Sequence, residues 1–288
     1  MLATSSATVM LGFRPGAKTE PMFRLRTGSF ALACVTAGLL LATSTTAWAD
    51  SPNLLNDADR ELLGRLGPDV LGAPIAAIDP AALIEAVTQS RISRFVMIEG
   101  PKKGQLVPVS VRSETQIPGA KKPADAPLWA IRAPGVITQY VVAGEEGLRS
   151  PMIVLGDGTF ASSYLPPEPM LLRGVVAGAS KSYEMQVQVH PASNFEKTKY
   201  KGRIRTTYTN KGSYRLHTPA GAFDGVVIRT DYQGKLGPAT MNDSDIRIYS
   251  PKVGLLAIAT HDRLHAMLVL NRDKYVILLL AKPPPVRH

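Results

Sequence analysis

The sequence predicts a mainly β fold, an antiparallel curved sheet arranged as a half-barrel, barrel or sandwich, behind a short helical N-terminal segment. Three observations carry this. From Arg91 onward, strand-length apolar or alternating runs recur at spacings of about 8–12 residues with turn signals between them. Helical spacing is confined to the stretch before Gln89. The only cysteine is Cys34, so the chain beyond residue 49 has no disulfide or thiolate metal site and must rely on a packed core.

Residues 1–49 read as an export signal. Arg24 and Arg26 form the basic region, Phe30 to Ala42 the apolar run, and Ala47-Trp48-Ala49 the small-x-small cleavage site before Asp50. The expected location is therefore periplasmic or secreted, after cleavage near Ala49-Asp50. Met22 directly precedes the basic region and would give a signal of ordinary length, which makes residues 1–21 a candidate mis-assigned start. Ala31-Leu32-Ala33-Cys34 loosely resembles a lipid-attachment site, but most of the apolar run follows the cysteine instead of preceding it. The remaining 239 residues carry 29 basic and 22 acidic side chains, a net charge of +7, which favours anionic partners without naming one. The longest apolar run there, Tyr275 to Ala281, is seven residues, so no membrane-spanning helix is expected.

The expected organisation is a helical leader over 50–90, a single β-rich domain over 91–282 and a tail over 283–288. In the leader, Asn56 or Asp57 caps a helix carrying Leu62, Leu63 and Leu66, which Gly67-Pro68 ends. Asp79 before Pro80 starts a second, short helix through Ala86. Strands follow at 95–98 and 106–111 around a Gly100 to Gly104 hairpin loop, then at 128–131, 137–142 and 152–155. The proline-bearing segment 115–127 reads as a loop. Tyr164 to Pro169 holds three prolines and reads as an extended crossing loop, because proline supplies no ladder donor. Tyr183 to Val189 alternates cleanly. A meander then runs through 202–209, 213–218, 222–231, 245–249, 254–261, 264–270 and 274–281.

Motifs for chemistry are sparse. Gly156-Asp157-Gly158-Thr159-Phe160-Ala161 resembles a dinucleotide fingerprint, but Pro166-Pro167 follows too soon for the required helix, so it reads as a tight turn. His261 and His265 would share a metal on a helix, whereas on a strand four residues separate them by roughly 13 Å. His217 and His190 stand alone beside prolines. Asp243-Ser244-Asp245 places two carboxylates on one strand face or in a turn. No serine elbow, zincin, phosphate-loop or serine-lysine motif is present. No cofactor or metal is expected.

Lys197, Lys199, Lys201, Arg203 and Arg205 alternate with Thr198, Tyr200, Gly202 and Ile204. On a continuous strand the five cations share one face at intervals of about 6.6 Å, and their mutual repulsion invites an anionic partner. Gly202 could divide that strand. Tyr200 and Tyr208 fall on the other face, so a base-stacking platform is not formed, and nucleic acid is not an expected partner.

Four segments give the chain its resemblance to a known group: Tyr164-x-Pro166-Pro167, Thr218-Pro219-Ala220-Gly221-Ala222-Phe223, Gly237-Pro238-Ala239, and Tyr249-Ser250-Pro251-Lys252-Val253-Gly254-Leu255-Leu256-Ala257. Over about residues 145–282 the chain resembles a domain-of-unknown-function family of bacterial periplasmic β-rich half-barrels. The resemblance implies a fold and no activity. Lys252 stands where such proteins often have glycine. Physically, Pro219 and Gly221 reverse the chain, Phe223 plugs one end of the sheet, and Tyr249, Pro251 and Gly254 build the matching turn.

Three functions are compatible with these residues. The first is a non-enzymatic exported envelope protein whose curved sheet holds a lipid or other apolar ligand, since 254–260 and 275–281 look buried on both faces. The second is an adaptor that docks on an anionic envelope surface through Lys197 to Arg205. An envelope hydrolase is the third, and it requires Asp243, Asp245, His217 or His261 to converge.

Overall fold

Two short helices and a four-residue strand precede the sheet. The computed structural model describes residues 53–284, except 122, 157 and 267–269, with the side chains of 264–272 also set aside. The expected signal over 1–49 and the last tail residues lie outside the described residues. Helix α1 (Asp57–Gly64) begins at a reciprocal cap: Asp59 N–H donates to Asn56 Oδ1 at 2.9 Å, and Asn56 N–H donates to Asp59 Oδ2 at 3.0 Å. Strand β1 (Leu71–Pro74) follows, in a stretch where the sequence showed only helices. Helix α2 (Ala81–Thr88) starts where Asp79 Oδ1 accepts the Ala81 N–H at 2.8 Å.

The strands are β2 (Arg91–Glu99), β3 (Leu106–Glu114), β4 (Leu128–Ala133), β5 (Ile137–Gly144), β6 (Gly147–Leu155) and β7 (Phe160–Leu172), then β8 (Ser180–Pro191), β9 (Tyr200–Thr218), β10 (Gly221–Leu236), β11 (Ala239–Ser250), β12 (Gly254–Ala266) and β13 (Leu270–Lys282). Each pairs antiparallel with its neighbours in sequence, and β13 pairs with β2, so β2 to β13 close into one up-and-down barrel without a free edge. Of the architectures compatible with the sequence, the closed barrel is the one formed. Strand β1 adds to the upper part of β9, beyond the reach of β8: Leu71 is opposite Leu216, while β8 covers β9 only from Tyr200 to Thr209.

Two expected breaks are absent. The turn read between 209 and 213 is a bulge inside β9, where Gly212 takes φ +91° and its N–H donates to Asn210 Oδ1 at 2.9 Å. The turn read at Asp262-Arg263 is likewise continuous strand in β12. The crossing loop expected at Tyr164 to Pro169 is also strand. Its prolines are tolerated because β8 pairs with β7 only as far as Leu165, so beyond that point no ladder donor is needed on that side. A register shift against β6 absorbs the extra residues and redirects Glu168 into the barrel.

The two helices occupy opposite surfaces of the barrel wall. Leu62, Leu63 and Leu66 of the α1 region pack with Tyr214, Val227, Ile246 and Ile248 on the outside. Buried Asp59 fastens this contact by accepting from Lys211 Nζ and Arg229 Nη1, each at 2.8 Å. Helix α2 instead touches β6 and β12, which are half a circumference apart, so it sits in the mouth of the barrel. There Leu83, Ile84 and Val87 pack with Leu148, Leu172, Val226 and Tyr249. At the other end Met185, Val187, Ile204 and Leu236 fill the interior.

Candidate functional site

Between the α2 plug and the far end lies an interior cavity of about 300 Å³. Its lining is largely apolar with buried polar groups on both sides. Strands β2 to β6 contribute Phe95, Val109, Val111, Ile131 and Ile153 together with Arg91, Ser93 and Gln139, and β7 to β12 contribute Glu168, Tyr232, Asp243, Asp245, Arg247 and Thr260 among Met170, Ile204, Met241, Leu255 and Ile258.

The polar side chains form bridges across the lumen. Arg247 on β11 lies 2.6 Å through Nε from Asp245 Oδ2, and its Nη1 donates to Gln139 Oε1 on β5, on the opposite wall, at 3.1 Å. Asp245 Oδ1 also accepts from Thr260 Oγ1 at 2.8 Å. Tyr232 donates to Glu168 Oε1, joining β10 to β7. Among the described residues, five buried atoms of the cavity lining have no hydrogen-bond partner: Gln139 Nε2, Arg91 Nη1, Arg247 Nε, Tyr249 Oη and Glu168 Oε2, with Gln139 5% and Glu168 1% exposed. Buried polar atoms in a folded protein are ordinarily paired.

Burial sets the charge state here. Desolvation raises the Glu168 carboxyl above the ordinary carboxylate value, with Arg247 and Tyr232 opposing it and Asp245 adding to it. Burial alone would lower Arg247, but Asp245, Tyr249, Tyr232 and Glu168 together outweigh it and keep the guanidinium charged. Tyr249 is pushed up to about 12, by burial first. A raised Glu168 binds its proton more tightly in the folded than in the unfolded chain. The stability this contributes is fully present below the unfolded carboxylate value of about 4.3, and is lost as pH rises through the raised one. Glu168→Gln, which cannot ionise, is therefore expected to melt close to the wild type at pH 4 and increasingly above it toward pH 8. A thermal-unfolding series over that range checks it, and a constant offset would contradict the assignment.

The motif residues divide between wall and interior. Pro219 and Ala220 make a two-residue hairpin between Thr218 and Gly221, which takes φ +123°, and the Ala220 N–H donates to Thr218 Oγ1 at 3.1 Å. Phe223, expected to plug the sheet, instead packs beside Leu216 with the outer α1 cluster. Tyr249 is fully buried under α2, a place inside the barrel and not in the turn. Pro251 is exposed in that turn. Gly254 takes φ +67°, and a Cβ there would collide with the Arg91 guanidinium and the Ala86 carbonyl, so glycine lets Arg91 cap the end of α2.

The five cations are not on one strand. Lys197 and Lys199 precede β9, and Lys199 Nζ sits 4.4 Å from the centre of the Phe160 ring. Lys201, Arg203 and Arg205 share the exposed outer face of β9, which Gly202 does not interrupt. Lys235 of β10 lies opposite Arg203 and adds a cation, while Glu184 of β8 lies opposite Arg205.

The hydrolase arrangement is not assembled. Asp243 and Asp245 line the cavity, but His261 stacks on Tyr275 and pairs with Asp273 on the outer wall, at 2.7 Å. His217 is exposed near the β9–β10 turn, and the His265 side chain lies outside the described residues. His190 is buried on the outer wall against Ser163, with 3.2 Å between Nε2 and Oγ. Among the described residues no group of three or more His, Cys, Asp or Glu gathers to hold a metal, and no helix is long and apolar enough to cross a membrane.

No protein-family model matches the chain, and no curated protein matches it in sequence. A solved structure from Parabacteroides distasonis, provisionally described as a lipoprotein, is 14% identical, with the match covering 68% of this chain and 95% of that one at a TM-score of 0.31.

Proposed function

We propose that this chain is an exported envelope protein that binds a small apolar or amphiphilic ligand inside its barrel. The observation that carries the reading is the interior cavity, largely apolar with a set of buried polar side chains, beneath a helical plug. Its volume of about 300 Å³ lies at the lower end of the roughly 300–1,000 Å³ of small-molecule sites. That size suits one acyl chain or one ring system and not a diacyl lipid. Export is supported by the signal pattern over residues 1–49. Native mass spectrometry of protein purified from its own compartment tests the binding: a non-covalent adduct of small-molecule mass is the expected result.

A second reading concerns the outer wall, where Lys201, Arg203, Arg205 and Lys235 form an exposed basic patch suited to an anionic envelope surface. Sedimentation with vesicles containing anionic phospholipid is expected to weaken with added salt. Paired Lys201→Glu and Arg203→Glu changes are expected to weaken it by roughly tenfold or more, from about 1 kcal/mol per basic residue near the surface. Binding indifferent to both would make the patch an ordinary solvated face.

A further inference from the structure

Resting on the reading of the cavity as a ligand site, we propose that its ligand is a single-chain amphiphile with a carboxylate head group, and that Arg91 supplies the positive charge that holds it.

Arg91 opens β2 and lines the cavity at the end closed by α2. One arm of its guanidinium, Nη2, donates to the Ala86 carbonyl of α2, in space that glycine leaves at position 254. The other arm, Nη1, is buried without a partner. Burial alone pulls the group down to about 10, with no neighbouring carboxylate among the described residues to oppose it. A buried cation without a counterion is costly, and a ligand carboxylate removes that cost.

The carboxyl groups of the lining are engaged elsewhere. Gly254, beside the Arg91 guanidinium, is opposite Ser250 on β11. Asp245 and Asp243 lie further along that strand, roughly 16 and 23 Å from Ser250 at about 3.3 Å per residue. Asp245 is matched by Arg247 at 2.6 Å, and Asp243 Oδ1 accepts the Arg263 N–H at 2.6 Å. Asp262 lies roughly 26 Å from Gly254 along β12 by the same rise. Glu168 is held by Tyr232.

The hydrogen-bonding atoms left over ask for the same head. Gln139 Nε2, Arg91 Nη1 and Arg247 Nε can only donate, and the Tyr249 hydroxyl can donate too. Glu168 Oε2 donates whenever its carboxyl, raised by burial, holds its proton. A carboxylate brings acceptors alone. An alcohol or amide leaves the Arg91 charge unmatched, and an ammonium adds donors and a like charge. A phosphate monoester carries a charge of about −1.5 to −2 against one uncommitted guanidinium, so a single carboxylate is the better match.

Register gives the head and chain their places. Arg91 is opposite Val111, Val111 opposite Ile131 and Ile131 opposite Gln139, so one cavity-lining row across β2 to β5 sets two donors around two apolar side chains. The alkyl chain then extends deeper into the lumen, against Phe95, Val109 and Ile258.

The experiment is competition against N-phenyl-1-naphthylamine, an apolar fluorescent reporter, on the purified protein at pH 7.5. Competitors of equal chain length are decanoate, 1-decanol, decylammonium and decyl phosphate. Decanoate is expected to displace the reporter at about tenfold lower concentration than decanol or decylammonium, a difference of about 1.4 kcal/mol, and at lower concentration than decyl phosphate. Equal or stronger displacement by any of the other three would overturn the carboxylate assignment while leaving the cavity a ligand site. Failure of the reporter and of every competitor to bind would overturn both readings. Arg91→Gln keeps a donor for the Ala86 carbonyl and removes the charge, so the preference for decanoate over decanol is expected to disappear, whereas Arg91→Lys is expected to retain it. An unchanged preference in Arg91→Gln would overturn the role of Arg91. The wild-type comparison decides the head group even where a variant fails to fold.

Discussion

Arg247→Leu is expected to destabilise the barrel by about 3–5 kcal/mol, the cost of leaving one partner of a buried ion pair uncompensated. Asp245, with a side chain 5% exposed, would retain the Thr260 hydroxyl as its remaining partner of known distance, and Gln139 Oε1 would lose its donor. The effect arises from Asp245 and not from lost packing, so the double variant Arg247→Leu, Asp245→Leu should recover most of the stability. Urea unfolding of the wild type and the two variants, compared at constant m-value, measures it. A cost below about 1 kcal/mol, typical of exposed pairs, would contradict a desolvated bridge.

Leu83→Ala is the second large expected effect. Leu83 is fully buried in the mouth of the barrel, where α2 meets strands on opposite sides of the ring. Deleting its side chain should cost about 2–5 kcal/mol, the range for buried Leu→Ala, because a closed barrel cannot collapse readily around the void. It should also accelerate exchange of an interior ligand, because α2 stands between the cavity and the mouth. Stopped-flow dissociation of N-phenyl-1-naphthylamine is expected to be severalfold faster than in the wild type. An unchanged rate would place the entry path away from α2.

The alternation of strands and turns made the meander legible, and the Asn56 and Asp79 caps marked both helices. Closure was less legible, since the pairing of β13 with β2 joins the two ends of the domain and leaves no local trace. The bulge at Asn210 to Gly212 looked like a turn because glycine at positive φ serves both. The proline run at Tyr164 to Pro169 looked like a loop because the end of β8 at its neighbour is a tertiary fact.

Of the site residues on β11 only Asp243 and Asp245 stood out in the sequence as candidates, and Arg247 did not. Asp245-Ile246-Arg247-Ile248-Tyr249 alternates polar with apolar residues, which would ordinarily turn the isoleucines inward and the charges to water. The opposite holds here. Helix α1 covers the outer wall, so Ile246 and Ile248 are buried beneath it while Asp245, Arg247 and Tyr249 face the lumen. Gln139, Glu168 and Tyr232 come from β5, β7 and β10, and only the closed ring brings them to Arg247. The basic run was read directly, apart from the start of β9 at Tyr200, which separates Lys197 and Lys199 from the strand.

The cavity is the centre of this account, and native mass spectrometry of the wild type beside Val111→Trp tests it most directly. Val111 is buried and lines the cavity, so tryptophan there occupies its space. The expected spectra show an adduct of small-molecule mass on the wild type, released on denaturation, and a folded variant without it. A wild type with no adduct and no saturable uptake of N-phenyl-1-naphthylamine, or a variant that binds equally well, would contradict a ligand held in the barrel.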